Sequence, residues 1–234
     1  MDSMLIFINK TRLRWGPRYV TQFFTFLNCA KMDLNINASH IALIPKKPEP
    51  INVVDFRPIS LCNVTYKIIS KALANRLKKV LPQLIWKNKS AFIPGRLITD
   101  NFLAAYEILH SLHSRMWSKV GFMGLKLDMS KAYNWVEWGF LEVVMKKMGF
   151  SSKWIELIME CVCTVSYVII VNGQPVGNIR PSRGIRQRDP LSPYLFILCA
   201  ESLSSLIDKA VEKGVITGVL TSKKGPWLSH LFFR

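Results

Sequence analysis

The chain has 234 residues, enough for one large domain or two small ones with a buried core. Half of the residues are apolar and a fifth are charged, which excludes a disordered polar tail. There are 32 Lys and Arg against 15 Asp and Glu, a net charge of +17. Such a positive field attracts polyanions, and it favours nucleic acid over an anionic membrane surface.

Cysteine usage and apolar runs exclude further classes. The five cysteines are scattered apart from Cys161 and Cys163, and no Cys or His spacing is typical of zinc. We therefore predict neither a metal-stabilised fold nor a disulfide partner. No apolar run reaches the roughly 18 residues of a membrane span, and no segment is typical of a signal peptide. The expectation is a soluble, intracellular protein without a membrane partner.

The first third of the chain alternates short elements. Residues 15–27 are predicted to form a helix and residues 40–45 a short strand, after which Pro48 and Pro50 force a loop. Apolar residues then recur at helical spacing through 64–81, at Val64, Ile68, Ala72, Leu73, Leu77 and Leu81. Lysines fall on the other side, and the helix should stop at Pro82.

The middle of the chain predicts a helix followed by a strand. Asp100 can cap a helix that runs to about His113, with an apolar face formed by Phe102, Ala105, Ile108, Leu109 and Leu112. Residues 120–127 are interpreted as a buried strand that ends at Asp128.

The last third predicts helices at 136–148 and 152–162, with Gly149 at the end of the first. Residues 165–171 are β-branched and apolar, and Asn172-Gly173 is a strong hairpin signal. A long helix opens at Pro190 or Pro193 and ends near Gly214, followed by strands at 215–220 and 230–233. Because strands and helices mix without strict alternation and one hairpin is present, we predict an α+β fold.

Asp128 is the most chemically suggestive residue. It follows the predicted strand within Lys126-Leu-Asp-Met-Ser-Lys-Ala-Tyr133. An acid at the exit of a buried strand is well placed to hold Mg²⁺, which prefers oxygen ligands and takes one or two carboxylates from a protein. The alternative is an aspartate that only caps the next turn.

Three further sequence motifs occur in the same chain as Asp128, and their order and spacing are informative. They are Asp55-Phe-Arg-Pro-Ile-Ser-Leu61, Ser90-Ala-Phe-Ile-Pro-Gly-Arg-Leu-Ile-Thr-Asp-Asn101 and Arg183-Gly-Ile-Arg-Gln-Arg-Asp-Pro-Leu-Ser-Pro-Tyr-Leu-Phe196. Together they resemble the reverse transcriptases of non-LTR (LINE-type) retrotransposons, particularly those of plants, from Trp15 to the end of the chain. The resemblance implies the fingers and an incomplete palm of a right-hand polymerase, without a thumb. It also implies RNA-directed DNA synthesis with Mg²⁺, an RNA template, a DNA primer, a dNTP substrate and a nuclear location.

The resemblance assigns a role to individual residues. Asp128 matches the first catalytic, metal-binding aspartate, and Tyr133 the steric gate against a ribose 2′-hydroxyl. Lys46 and Arg57 match the basic residues that hold the incoming triphosphate, and Gln187 the glutamine near the nucleotide and templating base. Each has an ordinary alternative, a surface charge for the two cations and a core aromatic for Tyr133.

The remaining basic residues are predicted to contact the phosphate backbone without reading sequence. They are Arg180, Arg183 and Arg186 in one loop, and Lys67 and Lys71 along one helix. For the lysines, a solvated helix face is an equal alternative. By the same resemblance, residues 1–35 are a helical lead-in, 36–119 the fingers and 120–234 the incomplete palm, within one reverse transcriptase domain at 36–234.

The sequence departs from the family in several places. Arg188 stands where glycine is usual, Asn134-Trp135 where aspartate and arginine are common, and Lys89 where glutamine is common. Arg234 stands where the family continues with alanine and two aspartates, so the expectation is a truncated, inactive copy. Two alternatives stay open: a non-catalytic basic module that binds nucleic acid, and an unstable product of a gene prediction without function.

Overall fold

A computed structural model describes residues 19–86, 89, 92–114, 123–220 and 227–231. The chain divides into two compact units. One contains the described residues up to Asn75 together with Tyr133–Pro193, and the other contains those of Arg76–Ala132 and Tyr194–Arg234. The predicted boundaries at residues 35 and 119 separate the parts of a polymerase hand, whereas the two units are separated by their compactness. The predicted boundaries therefore stay a prediction.

The first unit contains a four-stranded sheet. Its strands are β1 (Ala38–Pro45), β2 (Phe56–Cys62), β3 (Ser166–Val171) and β4 (Gln174–Ile179), in the spatial order β2-β1-β3-β4. Strand β1 pairs antiparallel with β2 and parallel with β3, and β3 pairs antiparallel with β4. The strands predicted at 40–45 and 165–171 are therefore confirmed, as is the mixture of helix and strand.

Strand β2 was not predicted, and β4 was predicted only as the partner that the hairpin signal implies; each contains a proline, Pro58 or Pro175. Proline cannot donate to a ladder, but it is tolerated at the edge of a sheet, where both strands lie. The hairpin between β3 and β4 is confirmed. Asn172 and Gly173 have φ angles of 51° and 78°, the left-handed pair that a two-residue turn of this kind requires.

The described helices, in chain order, are α1 (19–29), α2 (Leu34–Asn37), α3 (Val64–Leu84), α4 (Ile98–Ser114), α5 (Trp138–Lys147), α6 (Ser152–Cys163) and α7 (Ser192–Glu212). Short 3₁₀ turns lie at Val53–Asp55 and Ala132–Trp135. The helices predicted at 136–148, 152–162 and from Pro193 to Gly214 are confirmed. The helix predicted at 15–27 is confirmed from residue 19, and its start lies outside the described residues.

The predicted stop of helix α3 at Pro82 is wrong, because the helix continues to Leu84. Leu77, Leu81 and Ile85 are all buried on one side of this segment. Burial of that apolar face outweighs the single backbone hydrogen bond that proline removes near the end of a helix. The predicted inward positions Leu73, Leu77 and Leu81 are confirmed as buried. Near the start of the helix the prediction is wrong, since Val64 is exposed while Tyr66 and Ile69 are buried.

The carbonyls that follow α3 are capped by Arg96. Its guanidinium donates to the carbonyls of Ile85 at 2.9 Å and of Trp86 and Lys89 at 2.6 Å each. Lys89 is itself buried, and its Nζ lies 2.8 Å from Oε2 of the buried Glu201 on α7. Burial lowers the pKa of Lys89, while Glu201 opposes this. Lys89, which stands where glutamine is common in the family, therefore forms a buried ion pair with Glu201 in the second unit.

Three predictions about α4 and the segment after it are wrong, although residues 120–122 of the predicted strand lie outside the described residues. Asp100 lies inside the first turn of α4 rather than at its cap, and Phe102 and Leu109 are exposed rather than inward. Residues 123–127 form no strand, and Leu125 and Leu127 are 73% and 75% exposed. A strand needs a neighbour to complete its backbone hydrogen bonds, and no described strand pairs with this segment.

Among the described residues of the second unit, β5 (Val219–Leu220) pairs antiparallel with β6 (Trp227–Leu228). The strand predicted at 215–220 is therefore confirmed only in its last two residues. Residues 230 and 231 are not in a strand, and the remainder of the strand predicted at 230–233 lies outside the described residues.

Helix α5 ends on Gly149, as predicted. The Gly149 N–H donates to the Lys146 carbonyl and the Phe150 N–H to the Met145 carbonyl, both at 3.1 Å, and φ of Gly149 is 81°. This pair of bonds is the Schellman motif, which places its left-handed residue directly after the helix. The glycine is therefore required by the backbone conformation.

The same helix offers a matched pair of substitutions. Gly149→Ala should lower the free energy of unfolding by about 1 kcal/mol, because a Cβ is unfavourable at positive φ. Gly139→Ala should raise it by up to about 1 kcal/mol, because Gly139 lies within α5 and a Cβ there meets nothing within 4 Å. Urea denaturation measures both; a change of the same sign in the two variants would contradict the assignment.

Candidate nucleotide- and nucleic-acid-binding site

Lys46 and Arg57 lie beside each other at one end of the β1–β2 pair. The Lys46 N–H donates to the Asp55 carbonyl at 2.7 Å, which continues the ladder one residue beyond Pro45. Arg57 pairs with Ile44, so it lies two residues along from the partner of Lys46 and on the same face. Both residues are exposed. Two cations predicted to bind phosphate are therefore brought together.

The loop between these strands is organised by Asp55. Its Oδ2 accepts hydrogen bonds from the backbone N–H groups of Ile51 at 3.0 Å and Asn52 at 2.9 Å, and it forms an ion pair with Lys47 at 2.9 Å. The backbone of Asn52 and the side chain of Lys47 lower the pKa of this carboxyl below its ordinary value of 3.8. Lys46 adds a hydrogen bond from Nζ to the Val54 carbonyl at 2.7 Å.

Because the pKa of Asp55 is lower in the folded state, its contribution to stability is present above the ordinary value and is lost as pH falls through the lowered one. Asp55→Asn should therefore reduce the urea midpoint at pH 7, and the gap from the unsubstituted protein should shrink by pH 2.5. Glu49→Gln, on the same exposed loop, is the control and should show no such gap. A gap for Asp55→Asn that is independent of pH would contradict the assignment.

Tyr133 lies on the 3₁₀ turn Ala132–Trp135. The backbone of the loop that carries Gln187 is hydrogen-bonded to this turn and to the residue after it. The Ile185 N–H donates to the Tyr133 carbonyl at 2.9 Å, and the Gly184 N–H to the Val136 carbonyl at 2.7 Å. A Cβ at residue 184 would lie 3.2 Å from the Asn134 carbonyl oxygen, and φ there is +90°. Glycine is therefore needed for the close approach of the two segments.

Arg186 is not a surface cation, and its predicted contact with nucleic acid is corrected. The residue is 4% exposed, and its guanidinium donates to the Asn37 side-chain oxygen and to the Cys161 carbonyl at 3.2 Å. Its Cζ also lies 3.9 Å from the centroid of the Tyr66 ring. Its donors are used by protein atoms, so Arg186 leaves the set of phosphate contacts.

The same cluster holds the far end of the loop. The Tyr66 hydroxyl donates to Oδ2 of the buried Asp189 at 2.5 Å, and Oδ1 of Asp189 accepts from the Leu191 N–H at 3.0 Å. Burial, and then the charge of Asp189, raise the pKa of the Tyr66 phenol well above its ordinary value. Gln187, which is half-buried, therefore lies on the short segment between two buried residues of the loop, Arg186 and Asp189.

Arg188 adopts a backbone conformation that favours glycine, the residue that is usual at this position in the family. Its φ is 64°, in the left-handed region, and its side chain is exposed. The positive φ gives a physical reason for glycine at this position, and the arginine places its Cβ in that strained conformation.

Arg188→Gly should therefore raise the free energy of unfolding by about 0.5–1 kcal/mol, since relief of left-handed strain exceeds the entropy gained by the unfolded chain. Urea denaturation checks it. Arg180→Gly is the matched control, because Arg180 is exposed in the same part of the chain without positive φ, and it should give no gain. An equal response of the two variants would show that loss of charge, not backbone conformation, is responsible.

The other predicted nucleic-acid contacts lie at the surface. Arg180 follows β4, Lys67 and Lys71 are on α3, and all three are exposed. Arg183 is 46% exposed and is held on two sides. Its Nη1 lies 3.2 Å from Glu137 Oε1, and its Cζ lies 4.4 Å from the centroid of the Trp135 ring.

Asp128 belongs to the second unit and is exposed, whereas Lys46, Arg57, Tyr133 and Gln187 all belong to the first. Within the first unit, Lys46 and Arg57 lie at one end of the β1–β2 pair, and the Tyr133 carbonyl is hydrogen-bonded to the loop that carries Gln187. Sequence reasoning missed Asn37, Tyr66 and Asp189, the partners that fix the loop. Their side chains meet only after folding, so no spacing in the sequence could reveal them.

A mixed α+β fold with these loops and cations is that of a polymerase-like domain. More specifically, the sequence profile described as "Reverse transcriptase (RNA-dependent DNA polymerase)" matches residues 44–220. The chain therefore belongs to the reverse transcriptase family, which confirms the resemblance seen in its motifs.

The chain is similar to proteins of transposable elements. It is 29% identical over 194 residues to an uncharacterized 149 kDa protein of transposon TX1 from Xenopus laevis, covering 83% of this chain and 15% of that protein. It is 26% identical over 160 residues to the Pol polyprotein of retrotransposable element R2 from Popillia japonica, covering 68% and 22%. An uncharacterized mitochondrial protein of Arabidopsis thaliana is 51% identical over 72 residues, covering 31% and 59%. The chain thus spans less than two thirds of each relative.

The family uses divalent metal ions. Across the part of the chain that the structure describes, no three His, Cys, Asp or Glu side chains come together as a metal site. Asp128 offers one exposed carboxylate, whereas a pair of Mg²⁺ ions about 4 Å apart needs further fixed oxygen ligands. The described donor set therefore does not fit the paired metal site. Within the same residues, no helix is long and apolar enough to cross a membrane.

Proposed function

We propose that this chain provides the nucleotide-holding and template-holding part of an RNA-directed DNA polymerase of a retrotransposon. The observation that carries the proposal is the register of β1 and β2. It sets Lys46 and Arg57 on one face, beside a loop that Asp55 holds in place. An ammonium and a guanidinium side by side suit a triphosphate, since one supplies a compact charge and the other a planar fork of donors.

Tyr133 and Gln187 serve the sugar and the base in this proposal. The steric gate requires a rigid aromatic, and the Tyr133 carbonyl is tied to the loop that carries Gln187. The buried Arg186 and Asp189 limit movement of that loop on either side of Gln187. These contacts support a fixed distance between the two residues, which selection against a 2′-hydroxyl needs.

The nucleic-acid partners are an RNA template and a DNA primer. Lys67, Lys71, Arg180 and Arg183 are the residues we assign to phosphate contact, because all are exposed cations. The net charge of +17 adds a long-range attraction for any polyanion. Such contacts give affinity that depends on salt but not on base sequence.

The chain by itself, in this proposal, binds without extending a primer. Support comes from the donor set: Asp128 is a single exposed carboxylate, and phosphoryl transfer depends on metal ions that neutralise the developing charge. The second candidate, a non-catalytic nucleic-acid-binding module, rests on the basic surface alone and needs no nucleotide.

The test is binding and extension with the full chain. Affinity for a 20-mer RNA–DNA primer-template should fall steeply with salt, and Lys67→Gln with Lys71→Gln should make the log–log slope shallower by about 0.7–0.9 per lost contact. A salt-independent affinity would contradict the proposal. Addition of dNTP should protect Arg57 from phenylglyoxal, and no protection would favour the second candidate.

Primer extension on a poly(rA) template with Mg²⁺ is the complementary assay. The expected result is no product above background. Product that Asp128→Ala abolishes would overturn the proposed lack of activity and would show that Asp128 works with carboxylates outside the described residues. Product that survives Asp128→Ala would indicate a contaminating polymerase.

A further inference from the structure

Trp135 is an exposed aromatic residue that the proposed function leaves unused. It closes the 3₁₀ turn Ala132–Trp135, two residues after the tyrosine that matches the steric gate, and it is 55% exposed. The family commonly has a charged residue at this position, so the indole is a property of this chain. An exposed aromatic ring beside a functional turn offers a flat surface that a planar partner can contact.

One face of the indole is already occupied. The guanidinium of Arg183 lies 4.4 Å from the ring centroid, within the range of a cation–π contact. Even with Arg183 over one face of the ring, Trp135 is 55% exposed. Part of the indole therefore remains open to a flat group.

The pair is held in place from both segments. Glu137 Oε1 lies 3.2 Å from Arg183 Nη1, which fixes the guanidinium over the ring. The loop that carries Arg183 is joined to the turn by the bond from Gly184 N–H to the Val136 carbonyl, and by one from Trp138 Nε1 to the Gly184 carbonyl at 2.8 Å. The surface is therefore rigid before any partner binds, which reduces the entropy cost of binding.

We propose that Trp135, backed by Arg183, is a stacking platform for an unpaired base of a single-stranded nucleic acid. A nucleobase is the flat, apolar-faced group that suits an indole, and exposed Arg180 and Arg188 lie on the same stretch of chain for its phosphates. Bases inside a duplex are already stacked on one another, so the platform selects single strands. The inference rests on the proposed function, because it names one residue through which the chain holds its template.

The experiment uses the full chain and labelled oligo(U) and oligo(dT), with affinity followed by fluorescence anisotropy. Trp135→Leu, which keeps apolar bulk but removes the aromatic ring, should weaken binding roughly ten-fold, within the range of one base–aromatic stack. Trp135→Phe should restore part of the affinity. The salt slope should stay unchanged, because no phosphate contact is lost. Trp227→Leu is the matched control, since Trp227 is 66% exposed in the other unit, and it should bind as the unsubstituted chain does.

A second readout is spectroscopic and does not depend on the leucine variant. Oligonucleotide binding should quench part of the tryptophan emission, and that part should be missing in Trp135→Phe. Equal quenching in both chains would overturn the platform, as would an equal loss of affinity for duplex DNA in Trp135→Leu. The outcomes separate the two proposals: no salt-dependent binding by the unsubstituted chain defeats the proposed function. Salt-dependent binding by the unsubstituted chain, with affinity and quenching unchanged on substitution of Trp135, defeats only the platform.

Discussion

The guanidinium of Arg186 is the contact on which the first unit depends most. It reaches Asn37 at the start of the sheet, Cys161 near the end of α6 and the ring of Tyr66 on α3. Burial of a cation is costly unless hydrogen bonds and a countercharge compensate, and Asp189 supplies that charge through Tyr66. Removal of Asp189 would leave the buried guanidinium without its countercharge, and removal of Asn37 would leave one of its donors without an acceptor. The loop from residue 183 to 189 therefore has one arrangement in the fold.

The surface chemistry follows from that arrangement. With Arg186 and Asp189 buried, the two residues between them lie nearer the surface, so that Gln187 is half-buried and Arg188 is exposed. Gly184 allows the loop to lie against the turn of Tyr133, and Arg183 then meets Trp135. The residues assigned to nucleotide and to nucleic acid are thus placed by contacts that involve neither ligand.

Local signals in the sequence predicted the local structure well. The hairpin at Asn172-Gly173, the glycine that ends α5 and the bounds of α6 depend on backbone preferences of a few adjacent residues. The exposed positions of Lys46, Arg57 and Arg180 were also predictable from residue type. In contrast, the apolar spacing of α4 correctly predicted a helix but not which face is covered, because a periodic pattern does not identify the surface that packs against it.

The main error at the site has a similar cause. Arg186 was grouped with its neighbours by charge, although the side chain of Arg183, three residues earlier, points to the surface and that of Arg186 to the interior. Likewise, the alternation at 123–127 is compatible with a strand, but a strand forms only where a partner accepts its hydrogen bonds. The sequence therefore predicted the type of chemistry, while long-range contacts decided which cations and carboxylates are available for it.

The prolines at the two edges of the sheet have a consequence for association between chains. Because Lys46 and Asp55 form a hydrogen-bonded pair, alternation along the ladder makes Pro58 and Leu43 a non-bonded pair, and the nitrogen of Pro58 faces away from β1. That nitrogen has no proton to offer to an approaching strand. Pro175 likewise has no N–H on the opposite edge strand. Both edge strands of the sheet therefore resist pairing with a strand of another chain, which is the step that builds fibrils. Two proline residues give the chain this protection.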